Sequence, residues 1–228
     1  MTERPAFILR LIEEHRAFSS AFSDLFSAIK DQGQTHLLHG LFVLCDDFLI
    51  RFHQMKEETL LHPLVRPDPR LRAGGPECSL HFDFFMTDRP LERGRRLLAS
   101  EKIPETSPLM LSADEQSDQA SASPLCIPGE DHQAGRLLMT ALRKQPEPST
   151  EADLQRQLRL FQAFFRIQSD HHRREEGCFF RLCEELIPPL AWNQIAMLEK
   201  PWAPSPSAGT TQALEALTKA GWSNERKN

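Results

Sequence analysis

The sequence predicts an all-α fold, a four-helix bundle with a long connector between helices two and three. Four stretches carry apolar residues at the three- and four-residue spacing of amphipathic helices. Turn-forming and helix-breaking residues separate these stretches. Hydrophobic residues make up 40% of the 228 residues and charged residues 26%, so the chain has enough apolar material for a core. Amphipathic helices of this kind bury their apolar faces by packing together.

The first two predicted helices occupy the N-terminal part of the chain. Helix one runs from about residue 5 to 29, and Asp31-Gln-Gly33 is its stop signal. Helix two runs from about residue 34 to 61 and is dense in Leu and Phe. We expect it to end before Pro63, because proline cannot donate a backbone hydrogen bond.

The third and fourth predicted helices follow the connector. Helix three begins near Gly129 and covers residues 131–142, after which Pro146-Glu-Pro148 breaks the chain. Thr150 is a suitable N-cap for helix four because acidic residues follow it in the first turn. Pro188-Pro189 is expected to end this helix near residue 187.

The connector, residues 64–128, has three predicted parts. An apolar patch at residues 80–86 is expected to pack against the helices, since an unsupported patch of this kind would be costly in water. A short helix is predicted around residues 90–99. The Ser-, Asp- and Gln-rich stretch 112–123 is expected to be mobile.

The predicted domain organisation is one four-helix domain over residues 1–198, with the connector as an insertion. Residues 199–228 are predicted to be a polar C-terminal tail, because the chain there turns rich in Pro, Ser and charged residues. A weak short helix is predicted within it at residues 211–220.

Composition excludes several classes of function. The net charge of -5 argues against nucleic acid as a partner, because phosphate binding needs an excess of Lys and Arg. No run of about 18 apolar residues predicts a membrane span, and the N-terminus lacks the apolar core of a secretory signal. Five cysteines without a CxxC pair fit a reducing compartment. We therefore expect a cytoplasmic protein with no membrane or nucleic-acid partner.

Histidine and glutamate recur at helical spacing. His53 with Glu57, and His171 with Glu175, each stand four residues apart. On a helix, such side chains lie about 40° apart on one face and about 6 Å apart along the axis. An imidazole and a carboxylate in that geometry suit one metal ion, although the spacing alone also occurs in solvated surface pairs.

The specificity of this pattern comes from repetition. His15 precedes His53 by 38 residues, and His132 precedes His171 by 39. Both His15 and His132 directly follow an acidic residue in their predicted helices. The chain therefore carries the same three-residue set twice, on two predicted helix pairs, and a metal site is the best explanation of the six residues together.

The sequence resembles hemerythrin-like proteins of the HHE cation-binding family, bacterial type. The resemblance covers about residues 1–65 and 126–190. It rests on four segments: Glu14-His15, His53-Gln-Met-Lys-Glu-Glu-Thr-Leu-Leu-His-Pro63, Glu130-Asp-His-Gln-Ala-Gly-Arg136 and His171-His-Arg-Arg-Glu-Glu-Gly-Cys-Phe-Phe180. The chain departs from the family pattern at His62, where Phe is usual, at Arg181, where Pro is usual, and in the length of its connector.

The resemblance implies an up-down-up-down four-helix bundle around a non-haem di-iron centre. Glu57 and Glu175 would bridge two iron ions together with an oxide or hydroxide. Residues implied as terminal ligands are His15, His53, His132 and His171. The implied small ligand is O2 or NO.

Alternatives to this ligand set remain open in the sequence. His172 with Glu176 has the same spacing as His171 with Glu175. The family pattern places an aromatic residue nine positions after the ligand histidine, which favours His171 because it reaches Phe180. The parallel alignment favours Glu57 over Glu58. His81, in Cys78-x-x-His81, is a further candidate, but only His132 gives the symmetric spacing.

The remaining chemistry-bearing residues have simpler interpretations. His36 and His39 are expected to be helix-end or surface residues, and Arg173-Arg174 a solvated face. Cys45, Cys178 and Cys183 are expected to be small core residues, as are the phenylalanines Phe48, Phe52, Phe161, Phe164 and Phe165. Candidates to orient the ligand imidazoles are Glu14, Asp131 and Asp170.

Three hypotheses follow for function. The leading one is a protein that reversibly binds O2 or NO, or holds iron. The second is a di-iron enzyme (an oxidase, peroxidase or NO reductase) or an iron-donating repair protein for iron–sulfur centres. The third is an interaction protein that contacts a partner through the connector or tail. The family and fold do not choose among them.

Overall fold

The computed structural model describes residues 4–69, 89–105, 116, 125–199 and 210–219. These residues are helical almost throughout and contain no strand, which confirms the all-α class. The four-helix-bundle arrangement stays a prediction. Within the described part of the chain, no helix combines the length and apolarity needed to cross a membrane. The chain divides into two compact units: residues 1–61 with 187–228, and residues 62–186.

Helix α1, Ala6–Gln32, provides one side of the core of the first unit. Its apolar face follows the predicted spacing, and its fully buried side chains include Ile8, Leu11 and Phe18. The helix ends at Gly33, which adopts a left-handed conformation with φ 68° and donates its N–H to the Ala28 carbonyl. Glycine takes this conformation at little cost, so the predicted stop signal is confirmed.

The second helical region begins with a 3₁₀ turn at Thr35–Leu37 and helix α2, Leu38–Val43. Wider π-helical segments follow at Leu44–Gln54 and Glu57–Leu61, and helix α3, His62–Val65, comes last. The predicted end before Pro63 is therefore wrong. Pro63 lacks an N–H donor, but the wide turns before it already interrupt the i→i+4 hydrogen bonds, which reduces that cost.

The second unit contains helices α4, Pro90–Ser100, and α5, Cys126–Arg143. Helix α6, Glu151–Arg174, continues into a π-helical segment, Glu175–Phe179, and helix α7, Phe180–Leu186. Helix α5 begins three residues before the predicted start, because Pro128 lies within its first turn, where no N–H donor is needed. Thr150 and Asp153 form a capping box at the start of α6, which confirms the predicted N-cap.

Helix α4 shows how part of the connector packs in the second unit. It contacts α5 and α6, and Leu98 is buried. Glu130 on α5 binds the Arg89 side chain and accepts a hydrogen bond of 3.4 Å from the Leu91 backbone N–H. A helix N-terminus held by a carboxylate is stabilised. The short helix predicted at 90–99 is thus confirmed and packs against its neighbours. The predicted patch 80–86 and all of the stretch 112–123 except residue 116 lie outside the described residues.

Two helices complete the first unit. Helix α8, Pro189–Leu198, differs from the expectation that Pro188-Pro189 only ends a helix. Proline is also favoured in the first turn of a helix, and Pro189 serves that role. Helix α9, Thr210–Lys219, agrees with the short helix predicted at 211–220. Helix α9 contacts α1 and α2, and it buries Ala213, Ala216 and Leu217.

Candidate metal centre

Three side chains of the first unit converge in its interior: His15, His53 and Glu57. The two imidazole Nε2 atoms lie 2.9 Å apart. His53 Nε2 lies 3.4 Å from a carboxylate oxygen of Glu57. All three side chains are almost fully buried, and their ligand atoms lie within 4.8 Å of one another. We call these residues the first cluster.

The second unit contains the same arrangement, made by His132, His171 and Glu175. The two Nε2 atoms lie 3.0 Å apart, and His171 Nε2 lies 3.3 Å from a Glu175 oxygen. The ring centroids are 4.6 Å apart, compared with 4.7 Å in the first cluster. These residues, which form the second cluster, are also buried and lie within 4.8 Å of one another.

The chemistry of these contacts fits a metal ion. His53 Nδ1 lies 2.7 Å from Glu14, and a carboxylate only accepts hydrogen bonds, so Nδ1 carries the proton. An imidazole with its proton on Nδ1 has its lone pair on Nε2, and here Nε2 faces the Glu57 carboxylate. A cation between two such acceptors relieves their repulsion. Ligands placed about 2.1 Å from a metal at right angles lie roughly 3.0 Å apart, close to the observed separations. These buried His and Glu groups can therefore hold a metal ion.

A buried ion pair supports the first cluster. Lys56, whose side chain has no exposed surface, binds the second oxygen of Glu14. Its ammonium also lies 3.8 Å from Glu199 and 4.2 Å from the Phe52 ring centre, a favourable cation–π position. Burial by itself raises the pKa of Glu14, but the Lys56 charge and the hydrogen bond from His53 outweigh it. The net result is a lowered pKa, so Glu14 stays ionised.

Asp131 occupies the equivalent place in the second cluster. Its Oδ2 lies 3.4 Å from His171 Nδ1 and 2.5 Å from Arg174. Burial raises the pKa of Asp131 to about 6, although Arg174 opposes the shift. The predicted solvated face at Arg173-Arg174 is therefore correct for Arg173 and wrong for Arg174. The Arg173 side chain is 66% exposed, whereas only 14% of the Arg174 side chain is exposed.

The alternatives left open by the sequence differ in burial. Glu57 and Glu175 are buried in their clusters, whereas Glu58 and Glu176 are half-buried. His172 is also buried, at 5% exposure, but the 3.0 Å contact with His132 is made by His171.

Other predicted residues fall into three groups. His36 and His39 are exposed, as predicted, and His81 and Cys78 lie outside the described residues. Asp170 is an ion-pair partner of Arg93 and Arg173 rather than of an imidazole. Of the three predicted core cysteines, Cys45 and Cys183 are buried and Cys178 is half-buried. Four of the five predicted core phenylalanines are buried, and Phe165 is half-buried.

Sequence reasoning missed Lys56 and the role of His62. His62 is buried in the second unit, where its ring stacks on His132 at 6.0 Å and contacts Phe179 edge-on at 5.5 Å. It thus fills an aromatic position beside His132. Lys56 had a signal in the sequence: it follows His53 by three residues, as Arg174 follows His171.

Both cluster glutamates begin π-helical segments. Glu57 opens Glu57–Leu61, and Glu175 opens Glu175–Phe179. A π turn changes the direction in which the following side chains point, and such turns frequently occur at functional sites.

Comparisons with family models, with curated proteins and with solved structures give no significant match. They therefore identify no family.

Proposed function

We propose that the chain is a hemerythrin-like protein whose two clusters together hold two iron ions and bind O2 or NO, or hold iron, reversibly. The union of the clusters in one centre comes from the resemblance, in which Glu57 and Glu175 bridge the ions. The observation that carries the proposal is the duplication of a buried His-His-Glu set with matching separations in the two units.

The donor set favours a first-row transition metal, and the resemblance makes iron the proposed one. Four imidazoles and two carboxylates are intermediate in softness, so they suit a first-row transition metal better than magnesium or calcium, which prefer oxygen ligands. No cysteine belongs to the ligand groups found among the described residues, which argues against a thiolate zinc site. Six protein ligands shared by two ions leave coordination positions for a small ligand.

The chain's own residues supply the setting for that chemistry. Glu14 fixes the tautomer of His53, which presents its Nε2 atom to the cluster. Apolar side chains fill the interiors of both units; Phe18 is fully buried in the first and Phe161 and Phe164 are in the second. A dry interior limits access of bulk water to a bound metal and strengthens the interactions of the ligand charges.

Metal analysis of the purified protein tests the proposal directly. We expect about two irons per chain, with near-ultraviolet absorption that changes when the reduced protein meets O2 or NO. The matched control is a variant with both His53 and His171 replaced by Ala, which should lose the iron and the absorption. Stoichiometric zinc alone, or no metal at all, would refute the proposal.

A further inference from the structure

Lys56 is a cation buried without exposed surface in the first unit. Burying an ammonium group costs several kcal/mol unless other charges compensate it, so lysine side chains usually reach the solvent. Here the compensation comes from Glu14, which Lys56 contacts directly, and from Glu199 at 3.8 Å. Glu199 in turn binds Arg10 on α1. The Lys56 charge is therefore fixed beside the carboxylate that orients His53.

The second unit contains a parallel arrangement, in which the carboxylate lies farther from the imidazole than in the first unit. The Arg174 guanidinium lies 2.5 Å from Asp131 Oδ2, and this oxygen is 3.4 Å from His171 Nδ1. In each unit, the acidic residue directly precedes the first histidine of the cluster. The cation follows the second histidine by three residues. We call this arrangement the cation–carboxylate–imidazole chain.

The two cation–carboxylate–imidazole chains use different residues, and a longer carboxylate side chain in one is matched by a longer cationic side chain in the other. Glutamate is one methylene longer than aspartate, and it is paired with the single ammonium of Lys56. The shorter Asp131 is paired with Arg174, whose planar guanidinium has donors on three nitrogens. Different residues thus place a carboxylate beside Nδ1 in both units, which argues that the arrangement serves the imidazole rather than one local ion pair.

We propose that Lys56 and Arg174 are positioning residues for metal binding, each acting on one ligand histidine through the carboxylate between them. This inference rests on the proposed function, because it requires that the clusters bind metal. A carboxylate on Nδ1 fixes the tautomer and makes the ligating Nε2 more basic. The cation holds that carboxylate in place. Loss of a group that directly contacts a ligand imidazole typically weakens metal affinity by about 10–100-fold, and displacement of the carboxylate after loss of its cation should have an effect of that order.

The test uses Co2+ as the probe, because its visible absorption reports coordination. Metal-free full-length protein is titrated with Co2+ against a competing chelator. Lys56→Met and Arg174→Met should each weaken one of two bound Co2+ ions by about 10–100-fold and change its visible spectrum. Lys56→Arg and Arg174→Lys should recover most of the lost affinity, which a purely apolar packing role would not predict.

Exposed cations on the same helices provide matched controls. The side chains of Arg51 and Arg173 are 60% and 66% exposed, so Arg51→Met and Arg173→Met should leave both Co2+ affinities unchanged. If Lys56→Met fails to fold, Lys56→Met combined with Glu14→Gln removes both buried charges and keeps an oxygen for His53 Nδ1. This double variant should fold and still bind one ion more weakly.

The outcomes separate the two proposals. Two Co2+ ions bound with wild-type affinity by both Met variants would overturn the positioning roles and leave the proposed function standing. If Arg51→Met and Arg173→Met lose as much Co2+ affinity as Lys56→Met and Arg174→Met, the positioning roles are also overturned. A wild-type protein that binds no Co2+ and no iron would overturn both proposals.

Discussion

Replacing Gly135 by Ala tests how tightly α5 packs against α6 beside the second cluster. A methyl group at Gly135 would lie 2.7 Å from Gln168 Nε2 and 3.3 Å from Phe164 Cε2. Both neighbours are fully buried, so neither can move into solvent. We expect overpacking to cost about 1–3 kcal/mol. The higher helix propensity of Ala returns about 1 kcal/mol, and the variant should be destabilised by up to about 2 kcal/mol.

Gly129 is the matched control on the same helix. A methyl group there meets nothing within 4 Å, so Gly129→Ala should be neutral or stabilising by up to about 1 kcal/mol. Thermal unfolding of the metal-free proteins, followed by circular dichroism, gives the comparison. One kcal/mol corresponds to about 2–4 °C at this chain length. Gly135→Ala should therefore melt several degrees below Gly129→Ala.

A second substitution identifies the contact responsible. Gln168→Ala removes the nitrogen nearest to the new methyl group, so Gly135→Ala should cost less in that background than in the wild type. A double-mutant cycle measures this coupling. If Gly135→Ala melts at or above Gly129→Ala, or if the coupling is zero, the argument for close packing at this position is wrong.

Three further predictions address the ligands, the thiols and a helix cap. Glu57→Gln should lose di-metal binding, whereas Glu58→Gln, which changes the half-buried neighbouring residue, should retain it. Metal counting that finds two ions in both variants would contradict the bridging assignment. Burial raises the pKa of the Cys45 thiol well above its ordinary value, with Asp46 adding to the shift. Cys45 should thus react with a thiol reagent at neutral pH far more slowly than half-buried Cys178, and comparable rates would contradict this. Thr150→Ala removes the capping box and should cost about 1 kcal/mol in denaturant unfolding, whereas Thr150→Ser should cost little.

The sequence predicted the helices well where local signals act alone. The Gly33 stop and the Thr150 cap are local features, and both are present in the structure. The errors lie at prolines, whose effect depends on their place within a helix. Pro63 lies within a helical region after wide turns, and Pro189 starts a helix instead of only ending one. A proline therefore identifies a missing donor, but neighbouring hydrogen bonds decide whether that absence matters.

The six candidate ligands could be proposed from the sequence because repetition supplies information that a single histidine lacks. Spacing could not rank Glu175 against Glu176, and burial now separates them. The division of the chain into two units, each holding one cluster, was not predicted. It depends on how helices pack, which the periodicity of each helix does not specify.

The burial of Lys56 follows from helix geometry once His53 and Glu57 are assigned to one cluster. At the α-helical spacing expected from the sequence, a residue three positions after His53 lies about 60° from it on one side, and Glu57 lies about 40° from it on the other. All three therefore share one inward face, and the same holds for His171, Arg174 and Glu175. A charged residue at this position must either distort the helix or find a partner inside. Glu14 is the partner of Lys56. A histidine followed by a cation at three and a carboxylate at four positions thus predicts a buried acid on the facing helix.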